Sequence, residues 1–198
     1  MPEGAPLIRV SRSELLTLPN IISLARICAV PLTVWLVLQQ LLTGALCLFV
    51  LAGLSDALDG WLARRQGGGN RLGAMLDPVA DKALMMSMYV TLATVHVLPD
   101  WLAILVVFRD VLIVGGVMML FLLGQPIHIH PLKLSKLNTA LQLLLVGFAL
   151  LFSVLPALPF VPAAEILNLL IAAVTISTLI SGGAYIWAAM HPDMAPRR

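Results

Sequence analysis

Six apolar stretches of about twenty residues each follow one another along this 198-residue chain, and that succession limits the possible folds more than any other feature. They lie at about 21–39, 43–63, 73–97, 101–123, 137–155 and 164–189. About 20 apolar residues is the length a helix needs to cross the hydrocarbon of a bilayer. Only 11% of the residues are charged, where a soluble domain has roughly a quarter. The expected fold is therefore all-α: one six-helix transmembrane domain over 20–190, a juxtamembrane segment at 1–19 and a short tail at 191–198. Turn formers separate the stretches at Gly67-Gly68-Gly69-Asn70, Pro99-Asp100, Gly124-Gln125-Pro126 and the prolines 156, 159 and 162.

The charges alternate along the loops. Arg9 and Arg12 precede the first stretch, Arg64, Arg65 and Arg71 flank the second loop, Lys133 and Lys136 lie at the fourth, and Arg197 and Arg198 end the chain. The first, third and fifth loops carry no Lys or Arg. Under the positive-inside rule this places both termini in the cytoplasm. Residues 7–18 are amphipathic enough to lie on the membrane surface. No cleavable signal or basic, Ser-rich presequence is legible, which points to a bacterial inner membrane. Cys28 and Cys47 sit inside apolar runs and read as small buried hydrophobes. No nucleic-acid partner is expected.

Four aspartates break the apolar pattern. Asp56 and Asp59 end the second stretch, and Asp77 and Asp81 begin the third, all on the cytoplasmic side. A carboxylate at the bilayer centre costs about 2.5–3.5 kcal/mol on the insertion scale, so four at one depth demand compensation. Divalent cations supply it. On helices, Asp56 and Asp59 share a face at i, i+3, and Asp77 and Asp81 share one at i, i+4. Such a box of oxygen ligands suits two Mg²⁺ or Mn²⁺ ions rather than zinc. Gly60 leaves room for a ligand to approach, and Arg64 can fork onto a phosphate. Metal and arginine together point to a phosphate or pyrophosphate substrate, with positioning and charge neutralisation as the protein's work. A membrane prenyltransferase would carry its two Asp motifs on well-separated helices, and a metal transporter would show a polar path to the far side. Neither pattern is present in the sequence.

The pattern Asp56-x2-Asp59-Gly60-x2-Ala63-Arg64-x8-Gly73-x3-Asp77-x3-Asp81 resembles, position for position, the signature of the CDP-alcohol phosphatidyltransferases. The resemblance implies six transmembrane helices, a homodimer, a cavity open to the cytoplasm, and transfer of a phosphatidyl group from CDP-diacylglycerol to an alcohol with release of CMP. It implies Asp56, Asp59 and Asp77 as metal ligands, and Asp81 as general base close to the second metal. It also implies Gly60, Arg64 and Gly73, with Asp56, at the CDP site, and Asn20 and Ser23 near the cytidine.

The acceptor alcohol must be read outside the signature. Arg109-Asp110 lies deep in the fourth stretch, where it either binds acceptor or holds helices together as an ion pair. Lys133 and Lys136 stand at the head of the fifth, able to grip an acceptor phosphate or simply to set topology. His128 and His130 read as interfacial side chains. The runs Phe108–Leu112 and Leu134–Gln142 resemble the eukaryotic-type cardiolipin synthases of the family, whose acceptor is phosphatidylglycerol. Phosphatidylglycerophosphate synthases, which use glycerol 3-phosphate, are the alternative, but they typically carry a second arginine about two turns after the first. Gly116-Val117-Met118 fills that place here. The pairs Gly115-Gly116 and Gly182-Gly183 are either close-packing points or kinks.

Overall fold

The computed structural model describes residues 18–65, 71–122, 133–155 and 162–190, with side chains described over 25–55, 82–116, 135–155 and 162–187. The described backbone forms six helices and no strand. They are α1 (Leu18–Leu38), α2 (Leu42–Arg65), α3 (Arg71–Thr94), α4 (Asp100–Leu122), α5 (Lys133–Val154) and α6 (Ala163–Met190). Each of the six expected segments is matched by one helix.

The helix ends follow local chemistry. Pro99 and Pro162 lend their carbonyls to the first turns of α4 and α6, bonding Leu102 N–H at 3.1 Å and Ile166 N–H at 3.0 Å. Asp100 and Glu165 sit in those same turns, where the helix dipole favours a carboxylate. α1 and α3 end in the same way. Leu41 N–H reaches Leu36 O while Gln40 N–H reaches Val37 O, each at 2.9 Å. Val97 N–H reaches Leu92 O and His96 N–H reaches Ala93 O, again at 2.9 Å. These are Schellman closures, and Gln40 and His96 both take the required left-handed turn at φ 59°. The second closure stops α3 at Thr94, three residues short of the expected boundary. α5 begins four residues earlier than its apolar stretch, because a polar first turn containing Lys133 and Lys136 is still helical.

Packing among the described residues runs α1–α2–α5–α6–α4–α3 and back to α1, with α3 and α5 also meeting across the middle. Tyr89, Met88 and Leu92 of α3 are fully buried there with Leu102, Leu145 and Val174. Large apolar side chains also cover the outside: Ile104 is 69% exposed, Phe108 64% and Leu169 72%. An apolar surface this extensive belongs in contact with lipid. By length and composition, the stretches Ser135–Val154 and Ala163–Trp187 are each long and apolar enough to cross a membrane, and Ala25–Leu38 and Leu42–Ser55 are shorter apolar runs.

Hydroxyls within the helices close onto their own backbone, as Thr33 does to Ala29 O at 2.8 Å and Ser153 to Ala149 O at 2.7 Å. Cys28 and Cys47 are exposed on the outside of the bundle, not buried as the apolar sequence around them suggested. An apolar run in lipid has no single buried face, so its hydropathy does not say which side a residue takes.

Candidate active site

Polar groups are rare in this bundle, so their clustering is informative. A cavity of about 440 Å³ opens among four helices. Arg26 of α1 lines it, with Phe49, Ala52 and Gly53 of α2, Leu84 and Met85 of α3, and Ser135, Lys136, Thr139, Ala140 and Leu143 of α5. Arg26 is only 3% exposed, while Lys136 is open to the surface. Two basic side chains, Arg26 and Lys136, thus line a cavity whose other walls are mostly apolar. That combination suits an amphiphile with an anionic head.

Register connects this cavity to the aspartates. Asp56 follows Gly53 by three residues and Ala52 by four, all within α2. Asp81 precedes Leu84 by three and Met85 by four, all within α3. Residues at these spacings lie on one side of a helix. The side chains of Asp56, Asp59, Gly60, Arg64, Gly73, Asp77 and Asp81 lie outside the described residues, as do those of Asn20, Ser23 and Lys133. The helices carrying them are described: Asn20 and Ser23 in the first turns of α1, the first Asp pair in the second half of α2, the second in the first half of α3, and Lys133 as the first residue of α5. Residues 7–17, His128 and His130 are outside the description altogether.

Arg109 is described in full. It is 4% exposed, and its guanidinium is held on three sides. Nη1 donates to Asp110 Oδ1 at 2.6 Å, and Nη2 donates to Ser135 Oγ at 2.9 Å and to Ser181 Oγ at 2.6 Å. Lys82 Nζ lies 3.4 Å from the same Asp110 oxygen. The cluster thus joins α3, α4, α5 and α6. Of the two roles considered for Arg109 in the sequence, the ion pair is present. Its stem fits because Gly182 faces it: a Cβ there would lie 3.7 Å from Arg109 Cγ. Gly116 likewise admits the Tyr185 ring at 3.4 Å, whereas Gly115 and Gly183 face open space. One glycine of each pair is therefore a packing point between α4 and α6.

Two functional candidates escaped the sequence reading. Arg26 follows Ser23 by three residues in α1 and lines the cavity. Ser135 touches both Arg109 and the cavity, and neither contact leaves a mark in the sequence.

Residues 16–180 match the family model for CDP-alcohol phosphatidyltransferase. Among curated relatives, the fission yeast (Schizosaccharomyces pombe) protein named cardiolipin synthase (CMP-forming) / mitochondrial hydrolase fusion protein is 35% identical over 195 residues, covering 91% of this chain and 32% of its own length. The Streptomyces coelicolor protein named cardiolipin synthase (CMP-forming) is 38% identical over 136 residues, 63% of each chain. A rice chloroplast protein named CDP-diacylglycerol–glycerol-3-phosphate 3-phosphatidyltransferase 1 is 32% identical over 213 residues, covering 99% of this chain and 63% of its own. The chain thus spans from just under a third to just under two thirds of the length of these relatives.

Proposed function

The chain belongs to the CDP-alcohol phosphatidyltransferase family, and from that premise we propose that it transfers a phosphatidyl group from CDP-diacylglycerol to phosphatidylglycerol, giving cardiolipin and CMP. The observation that carries this reading is the register just described: Ala52, Gly53, Leu84 and Met85 line a cavity one turn away from Asp56 and Asp81. Two relatives named as cardiolipin synthases favour a lipid acceptor. So do the apolar walls of the cavity and the exposed Leu143 at its α5 side, which suit a substrate with acyl chains.

The donor set fits magnesium or manganese. Asp56, Asp59, Asp77 and Asp81 offer only hard oxygens, with no sulfur or imidazole in the motif. Two such ions bound there would neutralise the diphosphate and draw charge from it as the phosphorus is attacked. Gly60, Arg64 and Gly73 hold the CDP end, with Asn20 and Ser23 toward the cytidine. Lys133 and Lys136, in the first turn of α5, serve the acceptor side. Asp81 takes the proton from the acceptor hydroxyl as general base. The new P–O bond forms in line with loss of CMP, so no covalent protein nucleophile is needed. The apolar wall of Phe49, Leu84 and Met85 keeps water, a competing acceptor, away from the phosphorus.

Six spanning helices with both termini cytoplasmic would put the aspartates within reach of the CDP headgroup of a donor lipid at the cytoplasmic face. The exposed apolar surface supports immersion in a bilayer, and the loop charges support that orientation. The setting proposed is a bacterial inner membrane, with the chain working as a homodimer.

The test is an acceptor competition with purified protein, CDP-diacylglycerol and Mg²⁺. Phosphatidylglycerol and glycerol 3-phosphate are offered separately, and CMP and lipid product are followed. A four-chain product establishes the reading. Phosphatidylglycerophosphate would replace the acceptor by the one named for the rice relative. CMP release with neither acceptor would overturn the acceptor and keep the donor.

A further inference from the structure

Three of the five N–H donors of Arg109 are committed within the protein, and the buried Nε–H has no partner among the described residues. A guanidinium has two protons on Nη2, and here both are used, one by Ser135 of α5 and one by Ser181 of α6. Nη1 is tied to Asp110, and the side chain is 4% exposed. A group so placed does not reach out to an incoming anion. It does touch something that matters. Ser135 lines the cavity next to Lys136.

On the other side of the ion pair, Asp110 holds Lys82, the residue that follows Asp81 in α3. The Asp110–Arg109 pair is therefore a strut. One end fixes the helix that carries Asp81, and the other fixes the helix that carries Lys136. Among the described residues, α4 itself supplies none to the cavity.

We infer that Arg109 and Asp110 are positioning residues, which set α3 against α5 and so hold Asp81 in register with the acceptor side. They act on the reaction through Ser135 and Lys82 and do not touch substrate. The inference rests on the function proposed above, because it takes Asp81 as the base and α5 as the acceptor side.

The physical basis is the cost of misplacement. A shift of about 1 Å between reacting groups can lower a rate by about a hundredfold. Lys82, Asp110 and Arg109 carry a net single positive charge, and neutralising Asp110 removes the anion between two cations. The helices then move apart, draw in water, or release Lys82, whose side chain is 37% exposed, to solvent, and each of these loosens α3 from α4. Ser181 provides the internal control. It takes the same guanidinium at 2.6 Å, but it belongs to α6, none of whose described residues lines the cavity.

The experiment has two readouts on the full-length protein. In the first, spin labels at Val90 of α3 and Leu144 of α5, both half-exposed and off the cavity, report the spacing of the two helices, with Cys28 and Cys47 replaced by serine. Asp110→Asn and Ser135→Ala should broaden or shift that distance distribution, and Ser181→Ala should leave it as in the parent. In the second, the same variants are assayed with CDP-diacylglycerol and phosphatidylglycerol. Asp110→Asn and Ser135→Ala should lower kcat about tenfold with both KM values within about twofold, equivalent to ~1.4 kcal/mol of transition-state stabilisation. Ser181→Ala should keep kcat.

An unchanged spacing in Asp110→Asn overturns the inference whatever the activity. So does a selective rise in acceptor KM in Arg109→Lys with kcat preserved, which would make Arg109 a direct acceptor ligand. Equal loss of kcat in Ser135→Ala and Ser181→Ala would reduce the cluster to a general scaffold and overturn it too. If the parent transfers to neither alcohol, it is the proposed function that fails, and the spacing readout still decides whether the strut exists.

Discussion

Asn138 accepts a hydrogen bond from Ser177, 39 residues further along the chain, at 2.7 Å, and Thr178 donates to the same amide oxygen at 3.0 Å. The amide nitrogen of Asn138 has no partner among the described residues, although the side chain is fully buried. Two energies compete at this position. A satisfied hydrogen bond contributes about 1 kcal/mol, and a buried unsatisfied polar group costs about 1–3 kcal/mol. Ser177 also has a second acceptor, Val174 O, at 3.1 Å in its own helix. Asn138→Leu removes the orphan amide but leaves the buried Thr178 hydroxyl without this acceptor, so it should cost about 1–3 kcal/mol. Ser177→Val should cost no more, since Thr178 still serves the oxygen. Chemical unfolding in micelles checks both. A loss above about 3 kcal/mol for Asn138→Leu would mean that the amide nitrogen has a partner of its own.

Gln40 and His96 close α1 and α3 in a left-handed conformation usually left to glycine. For a residue with a Cβ that conformation costs about 1–2 kcal/mol, and part of this is regained by the lower chain entropy of the unfolded state. Gln40→Gly and His96→Gly should each stabilise the protein by up to about 1 kcal/mol. Replacing either with valine should destabilise it by more than that, because a β-branched side chain is worst in this region. Melting of the detergent-solubilised protein reads both signs.

Much of the architecture was legible because lipid imposes a length. Apolar runs of about twenty residues located all six helices, and the worst start, at α5, was off by four residues. The misses have physical reasons. Hydropathy falls where a helix emerges into the headgroups, yet the backbone of Lys133–Lys136 remains helical. The order of helices around the bundle was not legible, since an apolar surface facing lipid carries no register. The four aspartates were visible because a carboxylate is costly in lipid. Arg26 costs as much but gives no pattern in the sequence, because it is the single charged residue of α1 and its cavity is assembled from three other helices. Ser135 is chemically ordinary until Arg109 is found beside it.

Asp77 is the aspartate to test for the metal box, because no proton transfer is assigned to it. Asp77→Asn keeps the shape of the side chain and removes the charge that would hold a divalent ion. Turnover should fall by on the order of 10³-fold, about 4 kcal/mol in transition-state terms. The variant should still be recovered folded from the membrane. In the parent protein, EDTA should abolish CMP release, and Mg²⁺ or Mn²⁺ should restore it. Near-full activity of Asp77→Asn with Mg²⁺ would remove the metal reading.

Gly53 separates the cavity from the stability of the bundle. It lines the cavity, and a Cβ placed on it meets no atom within 4 Å. Ala52, its neighbour in sequence, is by contrast buried among packed side chains. Gly53→Ala should therefore be accepted, and should add up to about 1 kcal/mol of stability through helix propensity. Larger residues extend into the roughly 440 Å³ of open space without displacing other side chains. Gly53→Leu and Gly53→Trp should lower kcat/KM progressively, by tenfold or more for tryptophan, while the melting temperature stays at or above that of the parent. If the cavity admits the acyl portion of a lipid substrate, the loss should fall on the long-chain substrate first and be relieved when short-chain CDP-diacylglycerol and phosphatidylglycerol are supplied. A uniform loss with both chain lengths would put the obstruction at the phosphates instead. Full activity in Gly53→Trp would show that substrate does not pass this way.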